Sequence, residues 1–149
     1  MNTGPLVLHM DDDPNDRLLV EVAARRAGLR WDLRSVPDGD AAIAYLKGEG
    51  IYRDRAAHPT PELVLLDLKL PRKSGFEVLE WIRREGPHGT TTVVLTSSAH
   101  EKDVTQAKHL GASDYYVKPV SLRQLETLIT QIAAKWTPGA VAPEAAARL

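Results

Sequence analysis

Cysteine is absent from the 149-residue sequence. Its absence excludes disulfides, cysteine-ligated zinc, iron–sulfur clusters and thiol catalysis. No apolar run reaches the roughly 18 residues needed to span a bilayer. The N-terminal stretch MNTGPLVLHMDDD has no basic segment, and its short apolar run stops at three aspartates, so it is a poor signal peptide. Net charge is nearly absent too: 19 basic side chains stand against 20 acidic ones, a formal −1. A general electrostatic grip on nucleic acid or on an anionic membrane is therefore not expected. What is present fits a folded domain: 43% of residues are hydrophobic and 26% charged. The length suits one domain with a sizeable core. The expectation is a cytoplasmic, single-domain protein.

Short apolar runs alternate with amphipathic stretches. Pro5 to Met10 reads as a buried strand, and Asp13-Pro14 opens a helix that Gly28 stops. Asp16 sits where it favours the positive end of that helix dipole. Trp31 to Val36 alternates with period two, as an edge or half-buried strand does. Asp38-Gly39 opens a second helix with Ala42, Ile43 and Leu46 on its apolar face, and residues 50–61 read as a polar loop. Glu62 to Leu66 is a third strand, followed by a helix capped by Ser74 and carrying Phe76, Val78, Leu79 and Ile82. Thr91 to Thr96 is a fourth strand, with a helix from Ser98 to Leu110. Ser113 to Val117 is a fifth, and Ser121 with Gln124 has capping-box spacing for the last helix, through Trp136. From Thr137 the Pro-, Gly- and Ala-rich composition predicts a flexible tail, with a helical turn near its end. The predicted domain is 1–136, with no output domain in 137–149.

Five β-α units in strict alternation imply a parallel sheet with right-handed crossovers and helices on both faces. The fold class is α/β: a three-layer, doubly wound (βα)5 flavodoxin-like fold with strand order 2-1-3-4-5. Ligands in such sheets bind beyond the carboxyl ends of the strands. That edge collects Asp11, Asp12 and Asp13 after strand one, Asp67 after strand three, Thr96 and Ser97 after strand four, and Lys118 after strand five. Any single aspartate there is more often a cap or loop residue, and Asp13 is read as a cap. The whole set is not explained that way. Crowded carboxylates must protonate or admit a cation. Oxygen donors without His or Cys favour a hard ion such as Mg²⁺. Asp11, Asp12 and Asp67 set against Lys118 and one divalent ion leave no net charge. Asp67 then suits a carboxylate nucleophile for a phosphoryl group, with Lys118, Mg²⁺ and the Thr96 hydroxyl stabilising the transferring oxygens.

The segments LHMDDDPNDRLLV, LVLLDLKLPRKSGFEVL, VVLTSSA and GASDYYVKPVS resemble the receiver domains of two-component response regulators, over nearly all of Leu6 to Trp136. The resemblance implies that Asp11 and Asp12 organise the metal, with Asp12 the more direct ligand, and that Asp67 is the phosphoacceptor. The Lys69 carbonyl would complete the metal contacts. Thr96 would be the switch hydroxyl, Tyr115 the aromatic switch and Lys118 the phosphate-contacting lysine. The Lys118-Pro119 bond would be cis. Lys69 and Ser98 would tune the lifetime of the aspartyl phosphate, and a sensor histidine kinase would be the donor. Departures are a long segment between Asp12 and Asp67, Ser74 before Gly75, and Ser97 after Thr96. The long loop and the LDLKLP segment further resemble stand-alone regulators paired with bacterial phytochromes, implying a bacteriophytochrome partner.

The resemblance also implies signalling through the face of the fourth helix, fifth strand and fifth helix. Leu128 and Trp136 fall off the main apolar stripe of the last helix, and Tyr115 and Tyr116 place aromatics on both faces of strand five. A homodimer through the last strand and last helix, or through that wider face, is the expectation. Two alternatives stay open: a phosphate-shuttling or sink receiver without a dimer switch, and a small aspartate-nucleophile phosphatase. The phosphatase would want a late acidic pair that strand five does not offer. A flavodoxin-type module would need a phosphate-cradling glycine loop after strand one. The five histidines have no ligand spacing and read as packing or surface residues, with His100 a neighbour of the pocket.

Overall fold

A computed structural model describes residues 4–142. Five parallel strands, β1 (Leu6–Met10), β2 (Asp32–Val36), β3 (Leu63–Leu66), β4 (Thr91–Thr96) and β5 (Asp114–Val117), form one sheet in the order β2-β1-β3-β4-β5. They alternate with α1 (Pro14–Arg26), α2 (Gly39–Lys47), α3 (Gly75–Glu85), α4 (Glu101–His109) and α5 (Leu122–Trp136). The predicted fold class and strand order are those observed.

Capping follows local chemistry. The Asp13 carboxylate accepts from Asn15 N at 2.8 Å and Asp38 from Ala41 N at 2.7 Å. Ser74 accepts from Glu77 N at 3.3 Å and Ser121 from Gln124 N at 3.1 Å. Each such cap contributes about 1 kcal/mol. The exception is α4, which starts three residues later than expected. His100 is its N-cap and makes no side-chain cap bond. Ser98, the expected starting point, turns its hydroxyl to Asp103 instead.

The central strands are apolar throughout because both faces are covered. Leu8, Met10, Val64, Leu66 and Val94 pack with Ile43, Leu46, Val78 and Leu79 on the α2–α3 side. Val7, Leu63, Leu65, Val93 and Leu95 pack with Val20, Ala23, Leu125, Ile129 and Ile132 on the α1–α5 side. Leu128 and Trp136 are partly buried against this second cluster, so neither leaves the helix's packed side entirely. At Gly75 the start of α3 lies against the chain just past β3: a Cβ there would stand 2.4 Å from the Asp67 carbonyl oxygen.

Three expectations change. Residues 50–61 are not a bare loop. A 3-10 turn spans Gly50–Tyr52, and the Arg55 guanidinium donates to the carbonyls of Tyr45, Leu46 and His58 at 2.7–3.0 Å. The rings of Tyr45, Tyr52 and His58 pack together, and Tyr45 donates to the Pro59 carbonyl. Nor does the domain end at Trp136. Thr137 is buried, Trp31 Nε1 donates to its hydroxyl at 2.9 Å, Arg30 N donates to the Ala140 carbonyl, and Ala140 and Val141 join the α1–α5 cluster. Small apolar residues that read as tail composition here pack into the α1–α5 cluster. The rest of the expected tail, 143–149 with its helical turn, lies outside the described residues. Finally, Lys118-Pro119 is not cis; the cis peptide among the described residues is Gly86-Pro87. The isomers of an X-Pro bond differ by only about 0.5–1 kcal/mol, so surroundings decide.

The Arg55 contacts have a measurable consequence. Arg55→Ala removes the guanidinium bonds to the Leu46 and His58 carbonyls, while the Tyr45 carbonyl keeps its bond from Gly48 N, and is expected to cost about 1–3 kcal/mol by denaturant unfolding. Protease cleavage within 50–61 should rise with it. Unchanged stability and cleavage would show that the loop is held by its aromatic cluster alone.

Candidate functional site

Parallel register brings the predicted residues to one edge. Met10 aligns with Leu66, Leu66 with Val94, and Thr96 with Val117. Asp67 N donates to the Met10 carbonyl and Lys118 N to the Thr96 carbonyl. Side chains one step past β1, β3 and β5 therefore converge at the carboxyl end of the sheet. Asp11, Asp12 and Asp67 each offer a carboxylate oxygen, and these oxygens lie within 4.8 Å of one another. Asp11 and Asp67 are buried, whereas Asp12 is exposed.

Lys118 stands at the centre. Its Nζ donates to Asp11 Oδ2 at 2.6 Å, to Asp16 Oδ2 at 2.8 Å and to Asp67 Oδ2 at 3.0 Å. Burial opposes its charge, but the bonds to Asp11 and Asp16 and the field of Asp67 outweigh it, so the ammonium titrates above its usual range. Burial raises the Asp11 carboxyl, against the pull of Lys118 and of the Asp13 amide. Asp67 Oδ1 accepts from the buried Thr96 hydroxyl at 2.7 Å and from Lys69 N at 3.2 Å. The Lys69 side chain is exposed.

Asp16, read from the sequence only as a dipole partner of α1, is thus a third carboxylate on Lys118. The signal that could have found it is its place in the first turn of a helix that starts at the site. His9 is a histidine beside the pocket that sequence reasoning passed over. His9 is fully buried, its two ring nitrogens have no hydrogen-bond partner, and Nε2 lies 3.7 Å from Asp11 Oδ2. His100 is exposed at the start of α4. Further out, the half-buried Tyr115 donates its hydroxyl to the Ser98 carbonyl at 2.7 Å. Ser98 Oγ is turned to Asp103 at 2.5 Å.

The group that could hold a metal, Asp11, Asp12 and Asp67, offers only oxygens, which suits a hard divalent cation. A carboxylate held by a hydroxyl, an amide and an ammonium beside such a cation site suits transfer of a phosphoryl group. The family profile of the response regulator receiver domain matches residues 7–130. The chain belongs to that family. The receiver is 32% identical to the response regulator Rcp1 of Synechocystis sp. over 145 residues, 97% of each chain. The Mn²⁺-bound form of Rcp1 superposes with TM-score 0.79 at 33% identity, covering 93% of this chain and 99% of that one. Response regulator RPA3017, from red light signaling of R. palustris, superposes at TM-score 0.84 with 31% identity, over 93% and 98% of the two chains. The phosphorylated cyanobacterial phytochrome response regulator RcpA gives 0.82 and 31%, over 95% and 99%. This receiver is a signalling phosphoacceptor of the two-component type, with a histidine kinase as its partner class. Its acidic cluster fits a divalent metal. Among the described residues no helix is long and apolar enough to cross a membrane.

The buried histidine predicts a pH dependence. Desolvation, reinforced by Lys118 and opposed by Asp67 and Asp16, lowers His9 from 6.5 to about 4. Below pH 6.5 the unfolded chain binds a proton that the fold refuses until about pH 4. Stability therefore falls as pH drops through that window, by on the order of 3 kcal/mol from this group. In metal-free buffer, His9→Leu should flatten the profile there. It should not lower stability at pH 7, because two unpartnered nitrogens leave the interior. Parallel profiles for the two proteins would contradict this.

Proposed function

We propose that Asp67 accepts the phosphoryl group from a phosphohistidine of the kinase in a Mg²⁺-dependent reaction, with Asp11, Asp12, Asp67 and the Lys69 carbonyl as the metal's protein contacts. The carrying observation is the setting of Asp67: one oxygen on Thr96 and the Lys69 amide, the other on Lys118, with two carboxylates alongside. An Asp67 oxygen attacks phosphorus as the P–N bond to the histidine breaks, and the leaving imidazole takes its proton from solvent. When bound, Mg²⁺ supplies positive charge to the phosphoryl oxygens as charge shifts among them. Lys118 is already charged and already at Asp67, so it meets the arriving group without a proton transfer. The protein acts only on its own aspartyl phosphate, and Lys69 and Ser98, near the path of attacking water, adjust its lifetime.

Phosphorylation of Asp67 offers Thr96 a second acceptor, a phosphoryl oxygen beside the Oδ1 it now uses. The Thr96 hydroxyl turns to that oxygen and the β4–α4 turn shifts, with Tyr115, whose hydroxyl already reaches the Ser98 carbonyl, as the switch aromatic that couples the turn to β5. The α4–β5–α5 face changes with it, as one of two packings is favoured. Support for a bacteriophytochrome kinase comes from relatives named for phytochrome and for red light signaling. We place the protein in the cytoplasm as a homodimer through β5–α5 or α4–β5–α5, with no nucleic-acid or membrane partner. The dimer is favoured by the edge position of β5 and by Val117 and Val120, which are 44% and 101% exposed.

Incubation with phosphorylated kinase and Mg²⁺ should label the native chain, chelation should stop labelling, and Asp67→Asn should abolish it. Undiminished labelling of Asp67→Asn would move the phosphoacceptor elsewhere. Sedimentation with and without beryllofluoride tests the dimer. A two-chain mass is expected, and a monomer in both states at high concentration would refute it.

A further inference from the structure

Asp16 is the carboxylate on Lys118 that the proposed reaction leaves without a task. It stands in the first turn of α1. That turn is tied to the end of β1: Asp13 N donates to Asp11 Oδ1 at 2.9 Å, Asn15 N to Asp13 Oδ1 at 2.8 Å, and the Arg17 guanidinium to the Asp11 carbonyl at 2.8 Å. Asp16 is thus carried on backbone fixed relative to Asp11, and its partly exposed side chain reaches Lys118 from the α1 side.

A lysine ammonium is a compact charge on a flexible stem, and its three donors rotate freely unless partners hold them. Lys118 has a carboxylate oxygen for each of the three. The two shorter bonds, 2.6 Å and 2.8 Å, go to Asp11 and Asp16, and the longest, 3.0 Å, goes to Asp67 Oδ2. Nitrogen here is tetrahedral, so fixing two N–H directions fixes the third. Asp11 and Asp67 belong to the group that could hold a metal, and Asp16 does not. Asp11 and Asp67 must share their charge with a bound cation, whereas no metal competes for the bond between Lys118 and Asp16.

We infer that Asp16 is a positioning residue for phosphoryl transfer: together with Asp11 it holds Lys118 so that the remaining N–H faces Asp67 and the phosphoryl oxygen arriving there. The inference rests on the proposed phosphorylation of Asp67 and deepens it by giving the first turn of α1 a part in the chemistry. A donor group aimed before the reaction begins costs no reorganisation during it. The charge-assisted bond to Asp16 supplies that aim from outside the metal group.

Two measurements test this. The first is hydrogen exchange of the Lys118 ammonium, followed by ¹⁵N NMR in metal-free buffer. Asp16→Ala should speed it by about tenfold, the equivalent of one charge-assisted hydrogen bond. Asp16→Asn, whose amide oxygen still accepts, should stay near the native protein. The second is the rate of phosphorylation by acetyl phosphate, each variant being held at a Mg²⁺ concentration that calorimetry shows to be saturating. Asp67 forms its bond to phosphorus as acetate leaves as the anion. Asp16→Ala should be about tenfold slower than native and Asp16→Asn within about twofold. A residue that served only the α1 dipole would lose its charge equally in both variants, so rescue by asparagine would not follow. Native exchange and rate in Asp16→Ala, or equal losses in the two variants, would overturn the inference. If even the native chain takes no phosphoryl group on Asp67, the Asp67 reading falls, and the exchange measurement alone decides whether Asp16 holds Lys118. If the native chain is phosphorylated normally and Asp16→Ala matches it, the positioning role alone falls.

Discussion

The site is organised by the mutual repulsion of carboxylates brought closer than water would allow. Asp11 and Asp67 are buried, Asp12 and Asp16 flank them, and one ammonium, Lys118, reaches three of the four. That ammonium is held so firmly charged because removing it would strand at least two buried anions. The remaining negative charge makes the pocket receptive to a divalent cation. His9 contributes by staying neutral beneath Asp11. A charged ring there would bring a second cation into the interior, and burial forbids it.

Holding such a cluster demands a rigid frame, and the sheet provides it. Two apolar layers lock the central strands, so the ends of β1, β3 and β4 cannot drift apart under repulsion. The close approach at Gly75 seats α3 directly against the segment after Asp67. The C-terminal turn at Thr137–Ala140 closes the opposite end, anchoring α5 to Trp31 and Arg30. Rigidity on these sides leaves one side soft. α4, with only Ala107 of its nine residues buried, and the open edge of β5 lie next to Thr96, where a change at Asp67 would first be felt. A stiff core with one compliant flank converts a local change of charge into a change of surface shape.

Much of this was legible in the sequence. Alternation of apolar runs with amphipathic stretches determined the α/β class, because strands buried on both faces must be apolar at every position. Asp13, Asp38, Ser74 and Ser121 marked helix starts, since capping is a contact between residues two or three apart. Asp67, Asp11, Asp12, Thr96 and Lys118 could be assembled because the doubly wound topology brings strand ends together whatever lies between them.

What tertiary structure alone decided are contacts between residues distant in sequence and partners chosen by side-chain direction. Asp16 on Lys118 spans 102 residues, Trp31 on Thr137 spans 106, and Arg55 selects carbonyls nine and ten residues back. Composition marked Thr137 onward as tail, yet Ala140 and Val141 pack into the α1–α5 cluster and Trp31 holds the Thr137 hydroxyl. Ser98 reads as the start of the fourth helix, but that helix begins at Glu101 and the Ser98 hydroxyl meets Asp103. Local pattern settles which residues form strands, helices and caps, because those energies are local. Which charged or polar groups meet across the fold depends on register and rotamer, and only the folded chain sets these.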